Sequence, residues 1–129
     1  MARRPALSKA ETEVARIVWS LRRATVRQVL EALPEGRKVD YKTVQTFLRR
    51  LEAKGYLASQ REGRSTTYWP RIRARQVIRE TVADFVARLF DGEPLPLVEH
   101  LVREQGLTVE EVQKLRKMLD AWEAEREQP

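Results

Sequence analysis

The sequence predicts a mainly α-helical protein that carries one small β-hairpin near its middle. Three capping patterns, in which Ser or Thr precedes Glu or Gln by three positions, each stand before apolar residues at helical spacing. One stretch, residues 56–69, is rich in Thr, Tyr and Trp and contains a Glu-Gly pair, which favours two strands joined by a turn. A chain of 129 residues with 42% apolar content can form one domain, or a small domain with a helical extension.

Two helices and a loop are predicted before residue 40. The first helix covers about residues 8–21, where a capping pattern opens a run of apolar residues. Thr25 and Gln28 repeat the pattern and open a short second helix, which Pro34 ends. Residues 34–39 are predicted to be a loop.

The third predicted helix, about residues 41–54, has two chemically different faces. Asp40 can cap its start, and Gly55 suits the left-handed residue that ends it. The inward set is apolar: Val44, Phe47, Leu48 and Leu51. The outward set contains no acid: Lys42, Thr43, Gln45, Thr46, Arg49 and Arg50. Such side chains can reach base edges and phosphates from a major groove, although a merely solvated basic face is an open alternative.

An extended segment, about residues 57–69, predicts a β-hairpin after the third helix. Glu62 and Gly63 are predicted to form its turn. Two arginines flank the tip, where they could reach the DNA backbone: Arg61 and Arg64. Three helices followed by such a hairpin form a winged helix, so residues 1–71 are predicted to be a winged helix-turn-helix DNA-binding domain.

Charge is divided unevenly along the chain. Residues 1–75 hold 18 Lys and Arg against 7 Asp and Glu, whereas residues 76–129 hold 7 against 12. A basic part joined to an acidic part is typical of a polyanion binder whose other half has a different task. Because 19 of the 25 basic residues are Arg, a genomic base-composition bias could explain the total, but it would not explain the division.

The second half of the sequence predicts helices with broad apolar faces. A long helix over residues 72–90 is followed by a break at residues 91–96, a short helix, and a final helix opened by Thr108 and Glu111. Residues 72–129 are therefore predicted to be a helical dimerisation arm that buries these faces across a two-fold axis, and the open alternative is a larger monomer. The residues assigned to the dimer interface are Val77, Ile78, Val82, Phe85, Leu89, Leu115, Leu119 and Trp122.

Several functional classes leave no signal in the sequence. The absence of Cys excludes disulfides and thiolate metal sites. We expect a cytoplasmic protein with no membrane partner, because no apolar run approaches the roughly 20 residues that a spanning helix needs. His100 is the only histidine and there is no Gly-rich phosphate loop, so we expect no enzyme, no cofactor and no metal.

Six stretches, taken in order, resemble one known family over nearly the whole chain. They are LSKAETEVARIVW, TVRQVLEAL, YKTVQTFLRRLEAKGYL, REGRSTTYWP, ARLFDG and LTVEEVQKLRKML. Together they resemble the penicillinase repressor family, which implies a homodimer that represses transcription at a dyad operator in double-stranded DNA, often with TGTA-type half-sites. The resemblance places Lys42, Thr43, Gln45, Thr46 and Arg49 on the recognition helix, and Arg61 and Arg64 on the wing.

Two departures limit what the resemblance implies. Copper-responsive members carry a C-terminal cysteine cluster, which this sequence lacks. Members that respond to β-lactams are cleaved at an Asn-Phe bond, which aligns here with His100 and Leu101. Because that cleavage signal is not preserved, a regulatory protease is only an open candidate partner.

Two other functions remain open at this point. A non-specific architectural DNA binder would bind random duplex as tightly as any operator. A winged-helix protein-interaction module would use the basic face to dock on an acidic partner and would not bind DNA at physiological salt. The Thr and Gln side chains on the outward face favour base reading, because charge neutralisation alone does not require them.

Overall fold

The computed structural model describes residues 4–35 and 39–127. Their elements are α1 (Lys9–Leu21), β1 (Ala24–Thr25), α2 (Val26–Ala32), α3 (Tyr41–Ala53), β2 (Leu57–Glu62), β3 (Ser65–Pro70), α4 (Ala74–Leu89), α5 (Pro94–Arg103) and α6 (Val109–Glu127). The predicted class, mainly α with a small antiparallel β-structure, is confirmed. Residues 36–38 of the predicted loop, and the extreme ends of the two predicted domains, lie outside the described residues.

The chain divides into two compact units, a first unit Met1–Glu80 and a second unit Thr81–Pro129. The first unit contains α1 to β3 and the beginning of α4, and the second contains the rest of α4 with α5 and α6. The predicted domain boundary after residue 71 remains a prediction. In the described parts of both units, no helix is long and apolar enough to cross a bilayer.

All three predicted capping boxes form. In each box the N-cap hydroxyl accepts from the third backbone N–H of the helix, and the Glu or Gln side chain accepts from the N-cap backbone N–H. The pairs are Ser8 with Glu11 (3.1 and 2.8 Å), Thr25 with Gln28 (3.2 and 2.8 Å), and Thr108 with Glu111 (3.1 and 2.9 Å).

Helix α3 is capped at both ends, as its sequence predicts. The Asp40 carboxylate accepts from the Thr43 backbone N–H at 2.8 Å. At the other end, Gly55 has a φ of +90°, which the missing Cβ makes easy to adopt. The Gly55 N–H donates to the Glu52 carbonyl at 3.0 Å, and the Tyr56 N–H donates to the Leu51 carbonyl at 2.9 Å. This is a Schellman motif, so the helix ends sharply before β2.

The core of the first unit is built around the inward face of α3. Val44, Leu48 and Leu51 are fully buried, while Phe47 packs at the edge, so the predicted inward set is confirmed. Trp19, on α1, lies partly buried at the same core, and its indole Nε1 donates to the Ile72 carbonyl at 3.0 Å. The remaining core comes from α1, α2, the sheet, the turn before β2 and the start of α4: Val14, Ala15, Val18, Ala24, Val26, Val29, Tyr56, Leu57, Tyr68 and Val77.

The sheet corrects two sequence predictions. Glu62 still pairs with Ser65, so the turn consists of Gly63 and Arg64 rather than Glu62 and Gly63. Gly63 has a φ of +62°, the positive value that the first position of a type II′ turn requires. The sheet also has a third strand, because β1 pairs antiparallel with β3 and gives the strand order β1-β3-β2. A strand of two residues is too short to show an alternating pattern in sequence.

The second unit contains little buried surface. Neither α5 nor α6 has a buried residue. Pro94 is part of the predicted break, but in the structure it is the first residue of α5. Backbone N–H groups in the first turn have no partner within the helix, so proline, which lacks an N–H, removes no hydrogen bond there. Phe85 and Phe90 form a tilted aromatic pair, with ring centroids 5.8 Å apart. Large apolar side chains remain exposed along all three helices: Val82, Phe85, Leu89, Leu95, Val98, Leu101, Val102, Val109, Met118, Leu119 and Trp122.

A buried ion pair joins α1 to the end of α3. Glu11 is only 2% exposed, and its carboxylate lies 2.6 Å from the Lys54 ammonium. Burial alone would raise the pKa of Glu11, but the hydrogen bonds from Lys54 and Ser8 outweigh it and hold that pKa below its usual range. A carboxyl group whose pKa is lowered by folding stabilises the fold above its unfolded pKa of about 4.3, and this contribution is lost as pH falls through the folded value.

We expect Lys54→Met to lower the free energy of unfolding by about 2 kcal/mol at neutral pH, because it leaves a buried carboxylate without its cation. The loss should be smaller at about pH 3, below the unfolded pKa of Glu11, because the contribution of the ion pair is lost progressively as pH falls through the folded value. Urea denaturation of both proteins at the two pH values measures this. Lys42→Met, at an exposed lysine of α3, is the control and should change stability by less than about 0.5 kcal/mol. A loss for Lys54→Met that is equal at both pH values would contradict the ion-pair explanation.

Candidate nucleic-acid interface

Four side chains form one outward stripe along α3. Lys42, Gln45, Thr46 and Arg49 stand at the spacing that places residues on one side of a helix, opposite the buried Val44. Lys42, Thr46 and Arg49 are exposed, and Gln45 is half-buried. The two other residues of the predicted outward set flank this stripe and are also exposed: Thr43 and Arg50.

The two threonines of α3 differ in how far their hydroxyl groups are engaged. The Thr43 side chain hydrogen-bonds to the capping carboxylate and, together with the Thr43 backbone N–H, lowers the pKa of Asp40. The Thr46 hydroxyl donates to the Lys42 carbonyl at 3.0 Å. The Thr46 oxygen therefore keeps its capacity to accept a hydrogen bond, whereas Thr43 would have to exchange a cap interaction for a new partner.

Arg49 links α3 to the sheet. Burial raises the pKa of the Tyr68 hydroxyl and the Glu52 carboxylate adds to the rise, while Arg49, which hydrogen-bonds to Tyr68, opposes it. Glu52 in turn accepts from the Ser59 hydroxyl at 2.7 Å. These contacts hold the Arg49 side chain near the base of the hairpin. Arg50, one position further, has its guanidinium 6.0 Å from the centroid of the Phe47 ring.

The two predicted wing arginines have different surroundings. Arg61 Nε donates to the Gly63 carbonyl at 3.2 Å, so this side chain folds back over the turn. Arg64 occupies the second position of the turn and is exposed. The hairpin therefore presents the Arg61 guanidinium, which is hydrogen-bonded to the turn, and the Arg64 guanidinium, which is exposed at the tip.

Two arginines that the sequence analysis did not single out as binding residues extend the basic surface. Arg23 lies over the Trp69 ring at 4.7 Å and 3.9 Å from the Glu62 carboxylate. Arg27, on α2, lies over the ring of Tyr41, the first residue of α3, at 5.9 Å. The ring contacts restrict each guanidinium without neutralising its charge, although Glu62 partly offsets the charge of Arg23. The density of arginine in RRATVR was a visible signal, but the aromatic partners are distant in sequence.

The residues predicted to form a dimer interface are split between the two units. Val77 lies in the core of the first unit, and Ile78 is exposed on the same unit. The other six belong to the second unit, where Leu115 is half-buried and the rest are exposed: Val82, Phe85, Leu89, Leu119 and Trp122. Their role in dimerisation remains a prediction.

The residues aligned with the cleavage bond, His100 and Leu101, are both exposed within α5. His100 Nε2 lies 3.5 Å from the Gln105 amide nitrogen. Among the residues described, no group of three or more His, Asp or Glu side chains is placed to hold a metal ion.

Comparison with known proteins places this geometry in a family. The sequence profile described as "Penicillinase repressor" matches residues 7–121. The penicillinase repressor of Bacillus licheniformis is 30% identical over 120 residues, covering 93% of this chain and 94% of that protein. The methicillin resistance regulatory protein MecI of Mammaliicoccus sciuri is 25% identical over 114 residues, covering 88% and 93%.

A solved structure supports the same assignment for the first part of the chain. The solution structure of the DNA-binding domain of the repressor BlaI is 35% identical, with a TM-score of 0.50, and covers 57% of this chain and 90% of that one. The profile match spans nearly all of the described residues, including both faces of α3 and the hairpin. The chain therefore belongs to the penicillinase repressor family, and it is a DNA-binding transcriptional repressor with a winged-helix domain.

Proposed function

We propose that the protein represses transcription as a homodimer on a two-fold-symmetric operator, with α3 of each copy in a major groove and the β2–β3 hairpin on the adjacent backbone. The single observation that carries this proposal is the outward stripe on a rigidly capped helix, opposite a fully buried apolar stripe. A helix in this arrangement can enter a groove without uncovering the core.

Within the stripe we assign different roles by chemistry. Gln45 and Thr46 are proposed to read base edges, since amide and hydroxyl groups can pair with specific base patterns in the major groove. Lys42, Arg49 and Arg50 are proposed to bind phosphates, as are Arg61 and Arg64 on the hairpin. Thr43 is also proposed to contact DNA, and to do so its side chain would have to exchange its hydrogen bond to the Asp40 carboxylate.

Dimerisation is proposed to occur through the second unit. Its exposed apolar side chains include Leu89, which is 67% exposed, and Trp122, which is 53% exposed. Large exposed apolar surfaces are typical of interaction sites, and a second copy supplies an identical surface across a two-fold axis. Two copies so joined could place their α3 helices about one helical turn of DNA apart, roughly 34 Å.

The proposed activity is binding rather than catalysis. Family membership supports this, because its members act as transcriptional repressors. Control by a regulatory protease is a separate proposal: His100 and Leu101 align with the bond that is cleaved in other members, but they do not preserve its Asn-Phe sequence. Because both residues lie in the regular helix α5, cleavage there would require local unfolding first.

Fluorescence anisotropy of the purified protein on a dyad duplex with TGTA-type half-sites and on a scrambled duplex tests the proposal. We expect a preference of about a thousandfold or more for the dyad. If roughly six to eight phosphates are neutralised per dimer, log K should fall with log salt at a slope of about −5 to −7. Equal affinities would indicate an architectural DNA binder, and no binding at either of two salt concentrations would indicate a protein-docking module.

Gln45→Ala and Arg64→Ala should separate base reading from phosphate binding. We expect Gln45→Ala to cost about 1–3 kcal/mol on the dyad and little on scrambled DNA, since only the specific site uses its amide. Arg64→Ala should weaken both duplexes similarly and make the salt slope shallower by about one unit per wing. The same anisotropy titrations measure both variants. An equal loss of affinity for both duplexes in Gln45→Ala would contradict the base-reading role of Gln45.

The double variant Phe85→Glu and Leu89→Glu should convert the protein to a monomer, because two carboxylates per copy would meet in an apolar interface. Sedimentation velocity measures the change in assembly, and far-UV circular dichroism checks that the helices persist. Val109→Glu, at an exposed apolar residue of α6 outside the assigned set, is the matched control and should leave the assembly unchanged. A double variant that sediments as the wild type does would contradict the proposed interface.

A further inference from the structure

We propose that the first unit also carries a binding site for a small dianion with carboxylate or phosphate groups, separate from the DNA-reading surface. The site is an open cleft of about 630 Å³, within the usual size range of small-molecule sites. It is called here the arginine cleft, and its lining residues are Arg4, Gly55, Arg71, Ile72, Arg73 and Gln76.

The charge of the arginine cleft is incompletely balanced. Arg4 binds the Glu80 carboxylate through one amino group, at 2.5 and 3.0 Å, but its buried Nε has no acceptor among the described residues. Arg71 and Arg73 are exposed, and in the described part of the chain neither forms an ion pair with a carboxylate. The buried Arg4 Nε is out of reach of a ligand, but the two exposed cations, Arg71 and Arg73, line one concave surface, where an anion would neutralise charge and accept hydrogen bonds.

The walls of the arginine cleft are fixed before any ligand binds. The Ile72 carbonyl accepts from the Trp19 indole at 3.0 Å, and the Arg71 backbone N–H donates to the Tyr56 carbonyl at 2.9 Å. Arg4 lies over the Tyr56 ring at 5.7 Å, and the Tyr56 hydroxyl donates to the Pro5 carbonyl at 2.7 Å. The backbone of the cleft is therefore held in place before a ligand binds, whereas the exposed Arg71 and Arg73 side chains would become ordered on binding.

The position of the cleft separates it from the outward stripe. Gly55 follows the C-terminal end of α3, whereas Lys42 stands in its first turn. At 1.5 Å per residue, Gly55 lies about 20 Å from Lys42 and about 9 Å from Arg49, the nearest residue of the stripe, along the helix axis. Guanidinium groups match the paired oxygens of both carboxylates and phosphates, so the cleft selects for that shared chemistry rather than for one source of it.

The test uses the full chain without DNA and follows the Trp19 indole N–H, which is bonded to a lining residue, by ¹H–¹⁵N NMR. Sodium phosphate and sodium succinate are titrated separately, with sodium chloride holding the ionic strength constant. We expect a saturable shift with a midpoint of about 1 mM or lower for at least one of them. Saturation by phosphate alone identifies a phosphate ligand, and saturation by succinate alone identifies a dicarboxylate.

The double variant Arg71→Ala and Arg73→Ala should weaken binding at least about tenfold, because each lost charge-assisted hydrogen bond contributes roughly 1.5 kcal/mol or more. Arg88→Ala with Arg116→Ala removes the same charge from exposed positions of the second unit and should leave the midpoint unchanged. The undisturbed Trp19 signal of each ligand-free variant shows that the fold is intact.

Three outcomes would overturn the proposal. Shifts that rise linearly with both salts would show general anion effects, and equal midpoints in the two double variants would place the anion elsewhere. Loss of operator affinity in Arg71→Ala with Arg73→Ala, without any anion binding by the wild type, would assign these arginines to the DNA backbone. Because the titration contains no DNA, its result does not depend on the proposed operator binding.

Discussion

The ion pair between Glu11 and Lys54 is the interaction on which the first unit depends. Glu11 closes the capping box of α1 and also accepts a hydrogen bond from the ammonium of Lys54, the residue that follows α3. One buried carboxylate therefore joins the start of one helix to the end of another. Lys54 further donates to the Ala6 carbonyl at 3.0 Å, which holds the N-terminal segment over this junction. Together with the buried face of α3, these contacts hold the helix that carries the outward stripe against α1.

The second unit differs from the first in how much of its apolar surface is buried. The first unit buries its apolar side chains in a single core, whereas α5 and α6 bury none of theirs. Helices in water owe most of their stability to packing of an apolar face, so α5 and α6 need a surface that a single copy of the second unit does not provide. The proposed self-association would provide such a surface, and it would also supply the second recognition helix that a symmetric operator requires.

Local features were predictable from sequence, and distant pairings were not. The capping boxes, the two ends of α3 and its buried stripe all follow from neighbours within five positions, which is why those predictions are confirmed. Strand β1, the stacking of Arg23 on Trp69 and the pairing of Glu11 with Lys54 depend on residues far apart in the chain. For the proposed DNA surface, residue type predicted which side chains could bind, but only the fold shows which of them are already engaged.

Whether a basic side chain is already engaged in the folded protein affects how the proposed surface would bind DNA. Arg49 is hydrogen-bonded to Tyr68, Arg61 is bound to the turn, and Arg27 is stacked on Tyr41, so these guanidinium groups have already lost much of their rotamer freedom. A long basic side chain loses up to about 2 kcal/mol of conformational entropy when it is fixed, and prior restriction lowers the part lost on binding. Restrained arginines thus favour a defined orientation on the DNA backbone. The proposed base reading by Gln45 and Thr46 needs such an orientation, because hydrogen bonds to base edges tolerate little misplacement.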